Sequence, residues 1–131
     1  MGPEENYCDR SFGARLGVYE YSVGITPYLR PQECGNRTGT RWTKISSADG
    51  RGLLVFADEP FEFSALPFTP HELENAAYPS QLPASDKTIL RLGTRQMGVG
   101  GDDSWGAPVL PEFMIDSDRD IGFSVYIKGV Y

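Results

Sequence analysis

Two adjacent carboxylates lie in a glycine-rich stretch, MGVGGDDSWG, at residues 97–106. Glycosidic bonds are hydrolysed by pairs of carboxylates, about 5 Å apart in retaining enzymes, that converge on one bond. Asp102 and Asp103 are neighbours in the chain, and neighbouring side chains in an extended segment point to opposite faces. We therefore expect these aspartates to cap turns. A Ca²⁺ site is a weaker alternative, because no other oxygen ligands are spaced for it.

Other catalytic chemistry finds little support. His71 is the one histidine of the chain, so a zinc site with paired imidazoles is excluded and any Ser-His-Asp triad would depend on it. The letters GVGGDD depart from the phosphate-binding pattern G-x-G-x-x-G, and Pro108 and Pro111 prevent the helix that should follow. The sequence therefore predicts no catalytic centre and no metal site in this chain.

Residues 97–106, here called the tryptophan loop, also carry a large aromatic side chain. Glycine permits positive φ, and Asp and Ser accept hydrogen bonds from nearby backbone, so a tight loop is predicted. Its supporting residues are Gly100, Gly101, Asp102, Asp103 and Ser104. Trp105 is then either a lid over the core segment APVLPEF (107–113) or a platform presented to a partner, and the residues alone favour the lid.

A second polar stretch, YLRPQECGNRTGTRW, covers residues 28–42. Glu33, Arg37 and Arg41 are predicted to form a structural ion-pair network, since paired networks are commoner than functional sites. Cys8 and Cys34 are too few for a disulfide scaffold and lie in no metal-ligand spacing. We expect both to be reduced thiols.

The elements that must position these residues are mostly strands. Short runs rich in β-branched and aromatic residues alternate with turn signals such as DEP (58–60). The predicted fold is all-β, an antiparallel β-sandwich of one domain over residues 1–131. The predicted strands are TRWTKI (40–45), GLLVFA (52–57), FEFSAL (61–66), KTILRL (87–92) and IGFSVYI (121–127).

One short helix is predicted in FTPHELENAA, residues 68–77. Thr69 is its N-cap, Pro70 takes the first helical position and Glu72 completes a capping box. His71 then lies in the first turn, where the helix dipole disfavours its protonation. Residues 10–20 fit either a strand or a helical turn.

Charge and hydropathy exclude several partners. The net charge of −6 and the scattered arginines argue against nucleic acid. No apolar run approaches the roughly 20 residues that a membrane helix needs, and no signal peptide opens the chain. We therefore expect neither a nucleic-acid nor a membrane partner, and a cytoplasmic location is favoured over a periplasmic one.

Four motifs, in this order, resemble the C-terminal domain (the small-chain or fifth-domain region) of the large multidomain β-galactosidases of glycoside hydrolase family 2. They are ENYCDR (5–10), PYLRPQECGNRTGTRW (27–42), FSALPFTPHELENA (63–76) and GVGGDDSWG (98–106). The resemblance implies that residues 1–131 are a fragment of a longer C-terminal domain, part of a large sandwich similar to galactose mutarotase. The catalytic glutamates would lie in a separate (β/α)-barrel outside this chain.

The resemblance also implies a role for Trp105. The family's end domain sends one aromatic residue into the mouth of the active site, and that residue matches Trp105, which favours the platform over the lid. The expected partners are the remainder of the β-galactosidase chain or subunit, a galactoside such as lactose, and further subunits of an oligomer. No cofactor is expected in this chain, and the Mg²⁺ and Na⁺ common in the family would bind elsewhere. The alternatives are a freestanding carbohydrate-binding or interaction module and a structural sandwich that holds an oligomer together.

Overall fold

A computed structural model describes residues 1–103 and 105–131. In this part of the chain four strands form one antiparallel sheet, accompanied by one α-helix and two 3₁₀ turns. The elements in chain order are β1 (Arg37–Ser46), β2 (Gly52–Leu66), α1 (Pro70–Asn75), a 3₁₀ turn (Pro79–Gln81), β3 (Ile89–Gly93), a second 3₁₀ turn (Pro111–Phe113) and β4 (Tyr126–Val130). The predicted all-β class with one short helix is confirmed, and the sheet agrees with an all-β sandwich.

The long strand β2 is the centre of the sheet. One edge of β2 pairs with β1, from Ser46 opposite Gly52 to Arg37 opposite Phe63. The other edge pairs with two strands placed end to end: β4 pairs with the first five residues of β2, and β3 pairs with the last five. Every other strand of the sheet therefore depends on β2 for its hydrogen bonds.

The predicted turn at DEP, residues 58–60, is wrong. The predicted strands at 52–57 and 61–66 are one continuous strand, β2, which contains Pro60. Proline lacks the N–H that a strand ladder needs. Pro60 is tolerated because it lies between the parts of β2 that pair with β4 and β3, beside an irregularity of β1 at Thr40 and Trp42.

The ends of the chain are less regular than predicted. Strand β4 begins at Tyr126, so most of the predicted strand at 121–127 lies outside the sheet. Residues 10–20 form neither of the two expected elements; the described backbone there contains isolated bridges from Gly2 to Arg15 and from Tyr7 to Arg10.

The two faces of β2 contact two small apolar clusters. Val55, Phe61 and Phe63 are buried on one face, where Ala57, Leu90, Leu92 and Val125 pack against them. On the other face Leu66 contacts Cys34 and Leu73. Leu73 is brought there by α1, whose capping box forms as predicted: the Thr69 hydroxyl accepts from the Glu72 N–H at 3.2 Å, and the Glu72 carboxylate accepts from the Thr69 N–H at 2.7 Å.

We expect Phe61→Ala to lower the free energy of unfolding of the chain by about 3–5 kcal/mol, because its ring is fully buried and its removal leaves a cavity. Phe12 is fully exposed, so Phe12→Ala is the matched control and should change stability by less than about 0.5 kcal/mol. Urea unfolding measures both. Equal midpoints for the two variants would contradict this assignment of the core.

Candidate functional site

The indole of Trp105 projects from the protein. Its side chain is 93% exposed, so the lid over residues 107–113 that the residues alone favoured is wrong. The backbone beside it is ordered by Asp103, whose Oδ1 accepts from the N–H of Trp105 at 2.8 Å and of Ala107 at 3.2 Å. Asp103 therefore caps a turn, as expected, while Asp102 is exposed. Ser104 lies outside the described residues.

The base of the tryptophan loop is bound to two distant segments. Asp9 Oδ2 accepts hydrogen bonds from the N–H of Val99 at 2.8 Å and of Gly100 at 3.0 Å. The Gly98 N–H donates to the Phe113 carbonyl at 2.9 Å. These three bonds involve consecutive residues, so the loop leaves the body of the protein from a fixed position.

The glycines of the loop are needed mainly for close packing. A Cβ on Gly98 would lie 2.8 Å from Asp9 Oδ2, and a Cβ on Gly101 would lie 2.6 Å from the Ala107 carbonyl oxygen. A Cβ on Gly100 would collide with the guanidinium of Arg10. On the sequence alone, the loop glycines are explained by positive φ angles. Within the loop this explanation applies to Gly106, whose φ is 103°.

A partly buried polar cluster supports Gln96, the residue that precedes the tryptophan loop. Arg91 Nη2 donates to Asn36 Oδ1 at 3.0 Å and to Gln96 Oε1 at 2.9 Å. Asn36 Nδ2 in turn donates to Glu62 Oε2 at 3.0 Å. Burial raises the pKa of Glu62, although the Asn36 hydrogen bond opposes this. Because Gln96 directly precedes Met97, the cluster connects the tryptophan loop to β2 and β3.

The predicted network of Glu33, Arg37 and Arg41 is not formed among the described residues. Glu33 forms its ion pair with Arg91. Arg37 donates to two neighbouring backbone carbonyls, and its guanidinium carbon lies 4.7 Å from the centre of the Tyr21 ring. Arg41 is exposed. Glu33 and Arg37 therefore each contact other protein groups instead of each other.

Glu5, in the first motif, fixes the segment before β1. Its carboxylate accepts from the Thr26 hydroxyl at 3.0 Å, from the Gly35 N–H at 2.6 Å and from the Tyr28 hydroxyl. Burial by itself would raise the pKa of Glu5, but the hydrogen bonds from Tyr28, Gly35 and Thr26 outweigh burial and lower it. The hydrogen bond to Glu5 is also the main reason that the pKa of Tyr28 rises to about 12. The hydrogen bonds that cause these two pKa shifts hold the segment before β1 in place.

The metal-ligating side chains of residues 1–103 and 105–131 form no cluster. No three His, Cys, Asp or Glu side chains in these residues lie together in a way that could hold a metal ion, so they fit neither the Ca²⁺ site weighed from the sequence nor the Mg²⁺ that the family resemblance implies. His71 is exposed. Cys8 and Cys34 are free thiols, as expected. No described helix is long and apolar enough to cross a membrane.

Comparison with known proteins places the chain among parts of longer proteins. Residues 1–127 match the family described as beta galactosidase small chain. The chain is 48% identical to a beta-galactosidase of Halalkalibacterium halodurans over 99% of its own length, but it spans 13% of that relative. It is 49% identical to a beta-galactosidase of Streptococcus thermophilus, of which it also spans 13%. With the beta-galactosidase small subunit of Latilactobacillus sakei it shares 42% identity and spans 43% of that protein.

The loop geometry generates a test of the Asp103 cap. We expect Asp103→Ala to release the Trp105 and Ala107 amides and to lower their ¹⁵N heteronuclear NOE, which reports motion on the ps–ns timescale. Asp102→Ala is the matched control, because Asp102 is the adjacent exposed aspartate and neither of these amides donates to it. Equal NOE losses in both variants would show that Asp103 has no special role in the loop.

Proposed function

We propose a role for this chain that starts from the family to which it belongs, the β-galactosidase small chain. The chain is the non-catalytic part of a β-galactosidase, an enzyme that hydrolyses terminal β-D-galactosides such as lactose. It supports the active site of that enzyme and supplies Trp105 to the bound sugar. The catalytic carboxylates, and the Mg²⁺ and Na⁺ implied by the family resemblance, belong to the remainder of the enzyme.

The observation that carries this proposal is the exposed indole on a loop that is held at several points. A sugar ring has a face of C–H groups, which an indole can cover while the hydroxyls stay hydrated or hydrogen-bonded. By analogy with aromatic pairs, such stacking adds about 1 kcal/mol beyond the burial of area. Stacking tolerates different sugars and orientations, which suits the subsite of the leaving-group sugar.

The remaining surface supports assembly with a larger protein. Many large apolar side chains of the chain are exposed, and Phe12, Leu29 and Tyr131 are almost fully so. Where such side chains form a contiguous patch, they mark contacts with other chains or segments. Because the relatives are several times longer than this chain, we propose that the remainder of the β-galactosidase chain or subunit covers part of this surface.

A freestanding carbohydrate-binding module would use the same exposed indole. Isothermal titration of the 131-residue chain with galactose and lactose separates the two roles. A module binds the sugars by itself, whereas a part of a larger enzyme needs the sugar to be held by the remainder. We expect no binding heat from the chain alone, and millimolar binding that is lost in Trp105→Leu would favour the module.

The purified chain is expected to have no galactosidase activity, because its sequence predicts no catalytic centre and the catalytic carboxylates of the proposal belong to the remainder of the enzyme. A chromogenic aryl galactoside measures this directly. Turnover by the chain alone that disappears in Asp102→Ala or Asp103→Ala would contradict the proposal.

In the β-galactosidase that contains this chain, Trp105→Leu should raise the KM for lactose and weaken the binding of glucose as acceptor. The loss of the flat aromatic face should cost about 1–1.4 kcal/mol, a factor of about five to ten. The KM and kcat for an aryl galactoside should change less, because the galactosyl chemistry is untouched.

Trp42→Leu is the matched control, since Trp42 is the other tryptophan of the chain and lies half-exposed on β1. It should leave the ratio of the two KM values unchanged. Equal losses on both substrates in Trp105→Leu, together with a large fall in Tm, would mean that Trp105 packs against protein in the assembled enzyme.

A further inference from the structure

The ENYCDR motif contains an aspartate whose contacts lie on the tryptophan loop. Residues 7–10, here called the Asp9 turn, reverse the chain: the Arg10 N–H donates to the Tyr7 carbonyl at 2.9 Å, with Cys8 and Asp9 at the tip. From this tip Asp9 Oδ2 accepts the N–H groups of Val99 and Gly100, which follow it by 90 and 91 residues. The family resemblance gave this motif no function.

We propose that Asp9 is a positioning residue for Trp105, holding the tryptophan loop so that the indole meets the sugar. This inference rests on the proposed function. In this role Asp9 does not touch the substrate; it acts through the backbone amides of Val99 and Gly100.

The carboxylate is well suited to this task. Hydrogen bonds to an ionised acceptor are about twice as strong as neutral ones, and here one oxygen receives two of them. The second oxygen, Oδ1, is buried and has no hydrogen-bond partner among residues 1–103 and 105–131. Among residues 1–103 and 105–131, the Asp9 side chain therefore has hydrogen bonds only from the amides of Val99 and Gly100. The carboxylate and the loop hold each other in place.

The Asp9 turn is itself fixed to the sheet. Asn6, which precedes it, is 1% exposed. The Asn6 N–H donates to the Asn36 carbonyl at 2.8 Å, and Asn6 Oδ1 accepts the Thr38 N–H at 2.9 Å. Hydrogen bonds thus hold Asn6 to Asn36 and to β1, and Asp9 to the base of the tryptophan loop. The backbone itself joins Asn6 to the Asp9 turn.

The two segments fit together because of the loop glycines. Gly98 leaves room for the Asp9 carboxylate, and Gly100 leaves room for the Arg10 guanidinium. The motifs ENYCDR and GVGGDDSWG therefore contact each other. Further along the tryptophan loop, Asp103 orders the backbone of Trp105.

The first experiment measures the contact itself, by hydrogen–deuterium exchange of the β-galactosidase that contains this chain. In Asp9→Ala the peptide covering residues 97–106 should exchange about tenfold faster or more, because two charge-assisted bonds are lost. Asp9→Asn keeps an acceptor oxygen without the charge and should give an intermediate rate. If Asp9→Ala fails to fold, the exchange rate of the Asp9→Asn variant tests the proposal in its place.

Asp49→Ala is the matched control, since Asp49 also accepts a backbone N–H, but in the exposed turn between β1 and β2. It should leave exchange in the tryptophan loop unchanged. Unchanged exchange at residues 97–106 in both Asp9 variants would overturn the proposal.

The second experiment asks whether Asp9 acts through the indole, by a double-mutant cycle on the KM for lactose. Asp9→Ala should raise this KM by a factor of up to about ten, the full loss expected for Trp105→Leu, with a smaller effect on an aryl galactoside. In a Trp105→Leu background, Asp9→Ala should add almost nothing, because residues that act as one unit are not additive.

The outcomes separate the two proposals. A KM effect of Asp9→Ala that is the same in both backgrounds would overturn the positioning role, since the carboxylate would then act independently of Trp105. If Trp105→Leu leaves the lactose KM unchanged, the proposed function is wrong, and the contact between Asp9 and the tryptophan loop then has no role in sugar binding. In that case faster loop exchange in Asp9→Ala would still show that the carboxylate holds the loop.

Discussion

A single buried amide connects the parts of this structure. Asn36, at the residue before β1, is fully buried, so its polar atoms must be paired within the protein. Its Nδ2 donates to Glu62 on β2 and to the Asn6 carbonyl, and its Oδ1 accepts from Arg91 on β3. Removing one of these partners would leave a buried polar group unsatisfied, which costs about 1–3 kcal/mol. Asn36 thereby links the sheet to the N-terminal segment, and Arg91 extends the link to Gln96, the residue before the tryptophan loop.

The features that sequence could predict are local ones. The capping box of α1 depends on Thr69 and Glu72, three residues apart, and it forms as predicted. The Asp103 cap bonds the amides two and four residues later. Both follow from side chains that reach their own backbone, which short motifs specify.

The features that sequence missed depend on register and on distant contacts. Glu33 lies before β1 and forms its ion pair with Arg91 on β3, and the spacing of Glu33, Arg37 and Arg41 carries no information about that pairing. Glu62 alternates with two buried phenylalanines and would be assigned to solvent, but Asn36 covers it. Asp9 and the tryptophan loop are about 90 residues apart, and no local pattern predicts their contact.

The central claim is that the exposed indole is a sugar platform held in place from the sheet. A structure of the β-galactosidase that contains this chain, determined with a bound galactoside, tests it most directly. We expect the Trp105 ring to lie in van der Waals contact, about 3.5–4 Å, with the face of the sugar on the leaving-group side. We also expect Asp9 still to accept hydrogen bonds from the Val99 and Gly100 amides. An indole packed against neighbouring protein, with no sugar in contact, would show that Trp105 is not a sugar platform.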